Sequence, residues 1–163
     1  MTAKRTLVAG FVLLAALAGG CGVRPSGVIK GDPAPRGPAE GARLYFVQNT
    51  RLTMVLRPTN QQLSPSATLD LLAEGPNTNE QELGFTTEVP PGVGPLGISA
   101  DSVEQVTITL STDVTALSAT AVDQLVCTAR GAGRAQPQAP GPAAVILAGG
   151  GRTRGPQSCP LFN

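Results

Sequence analysis

The chain has 163 residues, with 12 Lys or Arg against 11 Asp or Glu, and a net charge of +1. This near balance excludes the basic surface that nucleic-acid-binding proteins need, so nucleic acid is not expected as a partner. Histidine is absent, which removes the Ser-His and Cys-His nucleophile systems of many hydrolases. Only Lys4 and Lys30 are lysines, and this arginine bias suggests a GC-rich genome such as that of an actinobacterium.

Residues 1–20 have the organisation of an export signal. Lys4 and Arg5 precede an apolar run, Leu7 to Ala18, that is too short for a permanent membrane-spanning helix. Small residues then lead into Cys21, and the run Leu-Ala-Gly-Gly-Cys resembles a bacterial lipobox. The resemblance implies cleavage before Cys21 and a diacylglycerol anchor on its thiol, which places the protein on the extracytoplasmic face of the cell membrane. The alternative is an ordinary secretory signal followed by a chance cysteine.

The segment after this cysteine has the composition of a tether. Gly or Pro occupies nine of the twenty positions from Gly22 to Gly41, without any apolar periodicity. Such sequences form flexible or polyproline-like linkers. We therefore predict that residues 21–41 lift a folded domain, residues 42–148, away from the membrane.

The domain is predicted to begin with two paired strands. Arg43 to Gln48 is apolar on both faces, as in a buried strand, and a turn at Asn49-Thr50 follows. Arg51 to Arg57 alternates between apolar and mostly polar residues, which is typical of a half-buried strand that pairs with the first. The row on its apolar face consists of Leu52, Met54 and Leu56.

Two helices are predicted from start signals, stop signals and apolar spacing. Ser64-Pro65 begins the first helix and Gly75-Pro76 ends it. Ser118 begins the second, which runs to Arg130. The expected apolar face of the first helix is Ala67, Leu71 and Leu72, with Leu69 at its edge. The expected buried face of the second is Val122, Leu125, Val126 and Ala129.

Three further strands complete the predicted domain, at Gly84 to Val89, Val103 to Leu110 and Ala143 to Ala148. The order of elements is then strand, strand, helix, strand, strand, helix, strand. This order lacks strict strand–helix alternation, so it favours an α+β fold: one small domain with a mixed sheet and two helices on one face.

Three segments follow one another along the chain: the strand Leu44-Tyr-Phe-Val47, the helix end Leu71-Leu-Ala-Glu-Gly-Pro76 and the strand end Thr87-Glu-Val-Pro90. Together they resemble the GerMN module of bacterial lipoproteins, a family named for sporulation and spore germination. The resemblance covers about residues 42–147, in a single-module form. It implies an α+β fold similar to the ring-building modules of secretion assemblies. It also implies a role in protein interaction in the cell envelope, with no catalytic residues to assign.

The remaining two cysteines are expected to form a disulfide. Export places Cys127 and Cys159 in an oxidising compartment, where an even pair is expected to oxidise. The tail, residues 149–163, has too little apolar content to hold itself in place, and the bond would attach it to the second helix. Two free thiols are the alternative; a metal site is disfavoured because histidine and a CxxC motif are both absent.

No catalytic residue and no cofactor is predicted. The carboxylates that a glycosidase-like pair would need are scattered at loops and element ends, and the glycine-rich run Gly149 to Arg154 reads as a flexible turn and not as an anion cradle. The carboxylates considered are Glu74, Glu88, Asp101 and Asp113.

Two function classes remain: a module that binds another envelope protein, and a binder of a small ligand or cell-wall polymer.

Overall fold

The computed structural model describes residues 41–94, 97–100, 102, 104–132 and 143–162. The predicted signal sequence, Cys21, almost all of the predicted tether and Asp101 lie outside these described residues. Within them the chain forms two sheets and three α-helices. The predicted α+β class is confirmed, but two separate sheets replace the single mixed sheet that the sequence led us to expect.

The first sheet contains three antiparallel strands, β1 (Gly41–Gln48), β2 (Arg51–Pro58) and β3 (Phe85–Thr86), in the order β2-β1-β3. The predicted pairing of β1 with β2 is confirmed. Their connection is a two-residue turn in which Asn49 and Thr50 both have positive φ, 49° and 63°. Such a turn matches the right-handed twist of the strands it joins, so the pair forms with an uninterrupted register from end to end.

Three helices follow the chain as α1 (Pro65–Glu74), α2 (Thr78–Glu82) and α3 (Ala119–Ala132). The predicted start of α1 is confirmed, since the Ser64 hydroxyl accepts a hydrogen bond from the Ala67 N–H. Its buried residues are Thr68, Leu69 and Leu72, so the contact face is rotated from the one expected. The short α2 was not among the predicted elements, and it forms around a capping box between Asn77 and Glu80.

The second sheet has the order β4-β5-β6-β7, in which β5 and β6 are parallel and the outer pairs antiparallel. Its strands are β4 (Gly97–Ala100), β5 (Gln105–Thr109), β6 (Ala144–Gly149) and β7 (Arg152–Gln157). The last strand lies in the segment predicted to be an irregular tail. Gly149 and Gly150 join β6 to β7 and pass so close to Thr112 and Asp113 that a Cβ at either glycine would collide with them. The glycine-rich run is therefore a packed hairpin turn.

One buried cluster draws on both sheets and the long helices. Ala42, Leu44, Tyr45 and Phe46 of β1 belong to it, and β1 contacts both α1 and α3. In the part of the chain that the structure describes, no helix is both long and apolar enough to cross a membrane. The other large members of the cluster are Leu69, Leu72, Ile108, Leu125 and Leu147.

Candidate functional site

The edge of β1 opposite β2 is completed by a helix. Strand β3 pairs with only the last two residues of β1, Val47 and Gln48. Further back along β1, the Tyr45 N–H donates to Thr128 Oγ1 at 3.1 Å, and its carbonyl accepts from Gln124 Nε2 at 2.9 Å. Two polar side chains of α3 thus occupy the position of a neighbouring strand and satisfy a buried stretch of backbone.

The amide of Gln124 connects three segments of the chain. While its Nε2 donates to Tyr45, its Oε1 accepts from the Glu88 N–H at 2.8 Å and lies 3.4 Å from Thr87 Oγ1. The side chain of Gln124 is fully buried. Helix α3 also approaches β1 closely near its end, because a Cβ on Gly131 would lie 3.4 Å from the Tyr45 ring. The helix is therefore held against β1 by hydrogen bonds as well as by apolar packing.

This arrangement determines where the backbone groups of β2 point. In an antiparallel pair, opposite residues alternate between exchanging hydrogen bonds and pointing outward. Tyr45 lies opposite Met54, and since the backbone groups of Tyr45 bond to α3, those of Met54 point away from β1. The same holds for Leu52 and Leu56, two residues to either side. Among the described residues no hydrogen bond reaches these outward groups, so β2 presents an open edge.

The apolar row of β2 lies on the opposite face of the sheet from Leu44 and Phe46. Directly paired residues share a face, and Val55 pairs with Leu44 whereas Met54 pairs with Tyr45. Met54 is 47% exposed, whereas Tyr45 is buried and Leu52 packs against the buried cluster. We define the outer face as the side of the first sheet that carries Arg43, Tyr45, Val47, Leu52, Met54 and Leu56.

Arg57 explains how the polar side of β2 is accommodated next to the core. Its guanidinium forms a salt bridge to Glu80 at 2.6 Å, lies 5.9 Å from the centre of the Phe46 ring and donates to the Gly75 carbonyl at 3.1 Å. Burial alone would raise the pKa of Glu80, but the hydrogen bonds from Arg57 and from the Asn77 N–H, together with the charge of Arg57, lower it. Arg57 is thus paired on the inner side, whereas Arg43 lies on the outer face opposite Leu56.

The structure brings Cys127 and Cys159 together. Both are fully buried, and their Cα atoms lie 4.8 Å apart, within the range that a disulfide requires. After Cys159 the chain makes a short turn, Pro160–Phe162. The Phe162 ring packs edge-on against Tyr45 with centroids 6.0 Å apart, and the Arg130 guanidinium lies over it at 5.1 Å. Phe162 thus packs the end of the tail against Tyr45 and Arg130, a role that was not predicted from the sequence.

Three of the four carboxylates considered for catalysis lie in the described ranges, and each has its own structural setting. Glu74 is exposed at the end of α1, and Glu88 accepts a hydrogen bond from the hydroxyl of Ser118. Asp113 accepts from the Thr115 N–H and hydroxyl, and these bonds lower its pKa. No group of three or more His, Cys, Asp or Glu side chains that could hold a metal ion occurs in the described ranges.

Arg154, from the glycine-rich run, also has a structural contact: its guanidinium donates to the Leu117 carbonyl at 2.9 Å. It lies near enough to Asp123 for its charge to oppose the effect of burial, which nevertheless raises the pKa of that carboxyl. The arginine thus ties β7 to the loop that leads into α3, and the run from Gly149 to Arg154 acts as part of the fold.

Fold and surface together define a small α+β module whose described part has an unpaired strand edge with the exposed Met54 on it. A family model described as "Germane: Sporulation and spore germination" matches residues 43–137. The chain therefore belongs to this family, as the resemblance to GerMN modules predicted, and the membership supports a non-catalytic module.

A solved structure, "Tandem GerMN domains of the sporulation protein GerM from Bacillus subtilis", is similar at 15% identity with a TM-score of 0.46. The match covers 74% of this chain and 43% of that one, so the chain corresponds to less than half the length of that protein. No curated protein matches the sequence.

Proposed function

We propose that the protein is an extracytoplasmic lipoprotein whose non-catalytic domain binds another protein of the cell envelope. The observation that carries the binding role is the surface of β2, where an apolar row and an unpaired backbone edge coincide. Met54 is the exposed member of that row and Leu52 and Leu56 are half-buried. An unpaired strand edge of this kind can pair with another chain. Family membership and the absence of histidine support a role without catalysis.

The anchor is proposed from the sequence. A diacylglycerol group on Cys21 supplies the two acyl chains that stable membrane attachment requires. The glycine- and proline-rich segment that follows would then allow the domain to reach partners beside the membrane.

We predict that Cys21→Ala abolishes lipid attachment. In a bacterial host with lipoprotein processing, the wild-type chain should incorporate radiolabelled fatty acid and sediment with membranes, whereas the variant should do neither. Cys159→Ala serves as the matched control, since it also removes a cysteine and should keep the label. A wild-type chain without label, or a Cys21→Ala chain that stays equally membrane-bound, would refute the anchor.

The binding role is tested by photo-crosslinking in living cells. A photoreactive amino acid at position 54 is expected to give a discrete covalent adduct with an envelope protein, because the Met54 side chain points from the outer face. The same amino acid at the exposed position 70 on α1 serves as the control and should give no such adduct. Identical adduct patterns at both positions, or none at position 54, would contradict a binding role for this surface.

A further inference from the structure

We propose that the outer edge of β2 accepts an extended segment of the partner as an additional antiparallel strand. The segment would have apolar side chains at alternate positions and a carboxylate opposite Arg51. This inference rests on the proposed protein-binding function and names its site and its recognition chemistry.

The backbone of β2 is suited to strand addition. Leu52, Met54 and Leu56 each direct one N–H and one C=O outward, so an added strand can form up to six hydrogen bonds with them. The strand is eight residues long, and its register with β1 has no bulge. Natural edge strands usually carry lysine, internal proline or a bulge that discourages pairing. Here the single proline, Pro58, stands at the very end.

The side chains of the same three residues supply selectivity. They stand on the outer face, where Met54 is 47% exposed and Leu52 and Leu56 are half-buried. Residues of an added strand that lie opposite them would have their side chains on the same face, within contact distance. A partner with valine or isoleucine at every second position would therefore pack on Leu52, Met54 and Leu56.

The charges of the hairpin favour an acidic partner. Residues 41–58 include three arginines and no carboxylate. Arg57 is paired with Glu80, whereas Arg51 is exposed and forms no salt bridge with the described residues. An added carboxylate opposite Arg51 would be attracted to it.

A second copy of the chain is a poorer occupant of the same edge. Two copies paired symmetrically about Met54 would place Arg51 of one copy opposite Arg57 of the other, and Glu80 compensates only the second of these charges. A second copy also has no carboxylate within residues 41–58 to lie opposite Arg51. The charges therefore favour a different protein over self-association.

The test uses the full exported chain and a synthetic peptide, acetyl-Thr-Val-Thr-Val-Thr-Val-Glu-amide with a fluorescent label. In the antiparallel register its valines lie opposite Leu56, Met54 and Leu52, and its glutamate lies opposite Arg51. Binding is measured by anisotropy and by hydrogen exchange of individual amides. We expect the amides of Leu52, Met54 and Leu56 to slow at least tenfold on binding, while those of Thr53 and Val55 are already protected by β1.

Two variants separate strand addition from simple apolar contact. Met54→Pro removes the outward N–H together with the methionine side chain. The β1 ladder stays intact, because the N–H lost from this edge strand points away from β1. Binding should weaken at least tenfold. Met54→Ala keeps the N–H and is the matched control. Arg51→Glu, at an exposed position that does not threaten folding, should weaken binding several-fold, and a peptide ending in lysine should restore it.

Different experimental outcomes would overturn strand addition and the proposed binding function. Equal peptide binding by Met54→Pro, or protection without the alternating pattern, would overturn strand addition. So would an envelope-protein crosslink, from a photoreactive residue at position 52, that survives Met54→Pro; the binding function would then stand. If no crosslink forms with the wild-type edge while the peptide binds with alternating protection, the proposed function fails and the strand-accepting edge remains.

Discussion

Replacing Gln124 with leucine is expected to lower the free energy of unfolding by about 2 to 4 kcal/mol, because each buried polar group left without a partner costs roughly 1 to 3 kcal/mol. Leucine is similar in size to glutamine, and its apolar side chain suits a buried position. The substitution leaves the Tyr45 carbonyl and the Glu88 N–H without the amide that now satisfies both. The measurement is urea-induced unfolding, in which the slope of the unfolding free energy against urea concentration should be the same for the variant and the wild type.

Asp123→Ala is the matched control for this substitution, since the two positions are adjacent on α3. Burial already raises the pKa of Asp123, so its ionised form gains nothing from the folded environment. Removing it should change stability by no more than about 0.5 kcal/mol, as for most surface substitutions. A Gln124→Leu protein as stable as this control would show that the hydrogen bonds of Gln124 do not stabilise the contact between the helix and β1.

The local elements were predictable where neighbouring residues decide them. The β1–β2 pair follows from alternation over residues 43–57 and a two-residue turn. The start of α1 follows from Ser64-Pro65, whose hydroxyl and fixed φ act within one turn of helix. The cysteine pair followed from the expected compartment and the count of cysteines, and the structure places the two side chains within bonding distance.

The elements that were missed depend on contacts distant in sequence. Gln124 and Thr128 lie 79 and 83 residues from Tyr45, the residue whose backbone they bond, so helical periodicity alone assigns them no role. Strand β7 has little apolar content, and it forms because β6 lies beside it. A residue pattern that looks like a turn in isolation becomes a strand when a partner satisfies its backbone.

The orientation of β2 at the candidate site also depends on a contact between residues that are distant in sequence. Alternation correctly grouped Leu52, Met54 and Leu56, but it could not tell which face of the sheet would be buried. Which face of β2 lies towards the core depends on Arg57, whose charge is compensated by Glu80, 23 residues further along the chain. With that arginine paired on the inner side, the apolar row is free to serve as a surface.

The connection between Cys127 and Cys159 is expected to contribute about 3 to 4 kcal/mol to stability, the loop-entropy value for a closed loop of this length. The two residues are separated by 32 positions. Protein exported by its host should give a crosslinked peptide in non-reducing mapping. The double variant Cys127→Ala, Cys159→Ala should unfold at a markedly lower urea concentration than wild type, and reduction should lower the midpoint of the wild type only.

Phe162→Ala, with both cysteines kept, is the control for this second prediction because it separates the covalent link from the packing of the tail. Phe162 contacts Tyr45 and Arg130, so its truncation should destabilise the protein even when the link is intact. Under reducing conditions its effect should shrink, since the unlinked end of the tail leaves the surface more readily and makes these contacts for only part of the time. Free thiols at both positions in the exported protein, or an equal midpoint before and after reduction, would contradict the disulfide. The tail would then be retained by the aromatic and cation–π contacts of Phe162 together with the pairing of β7.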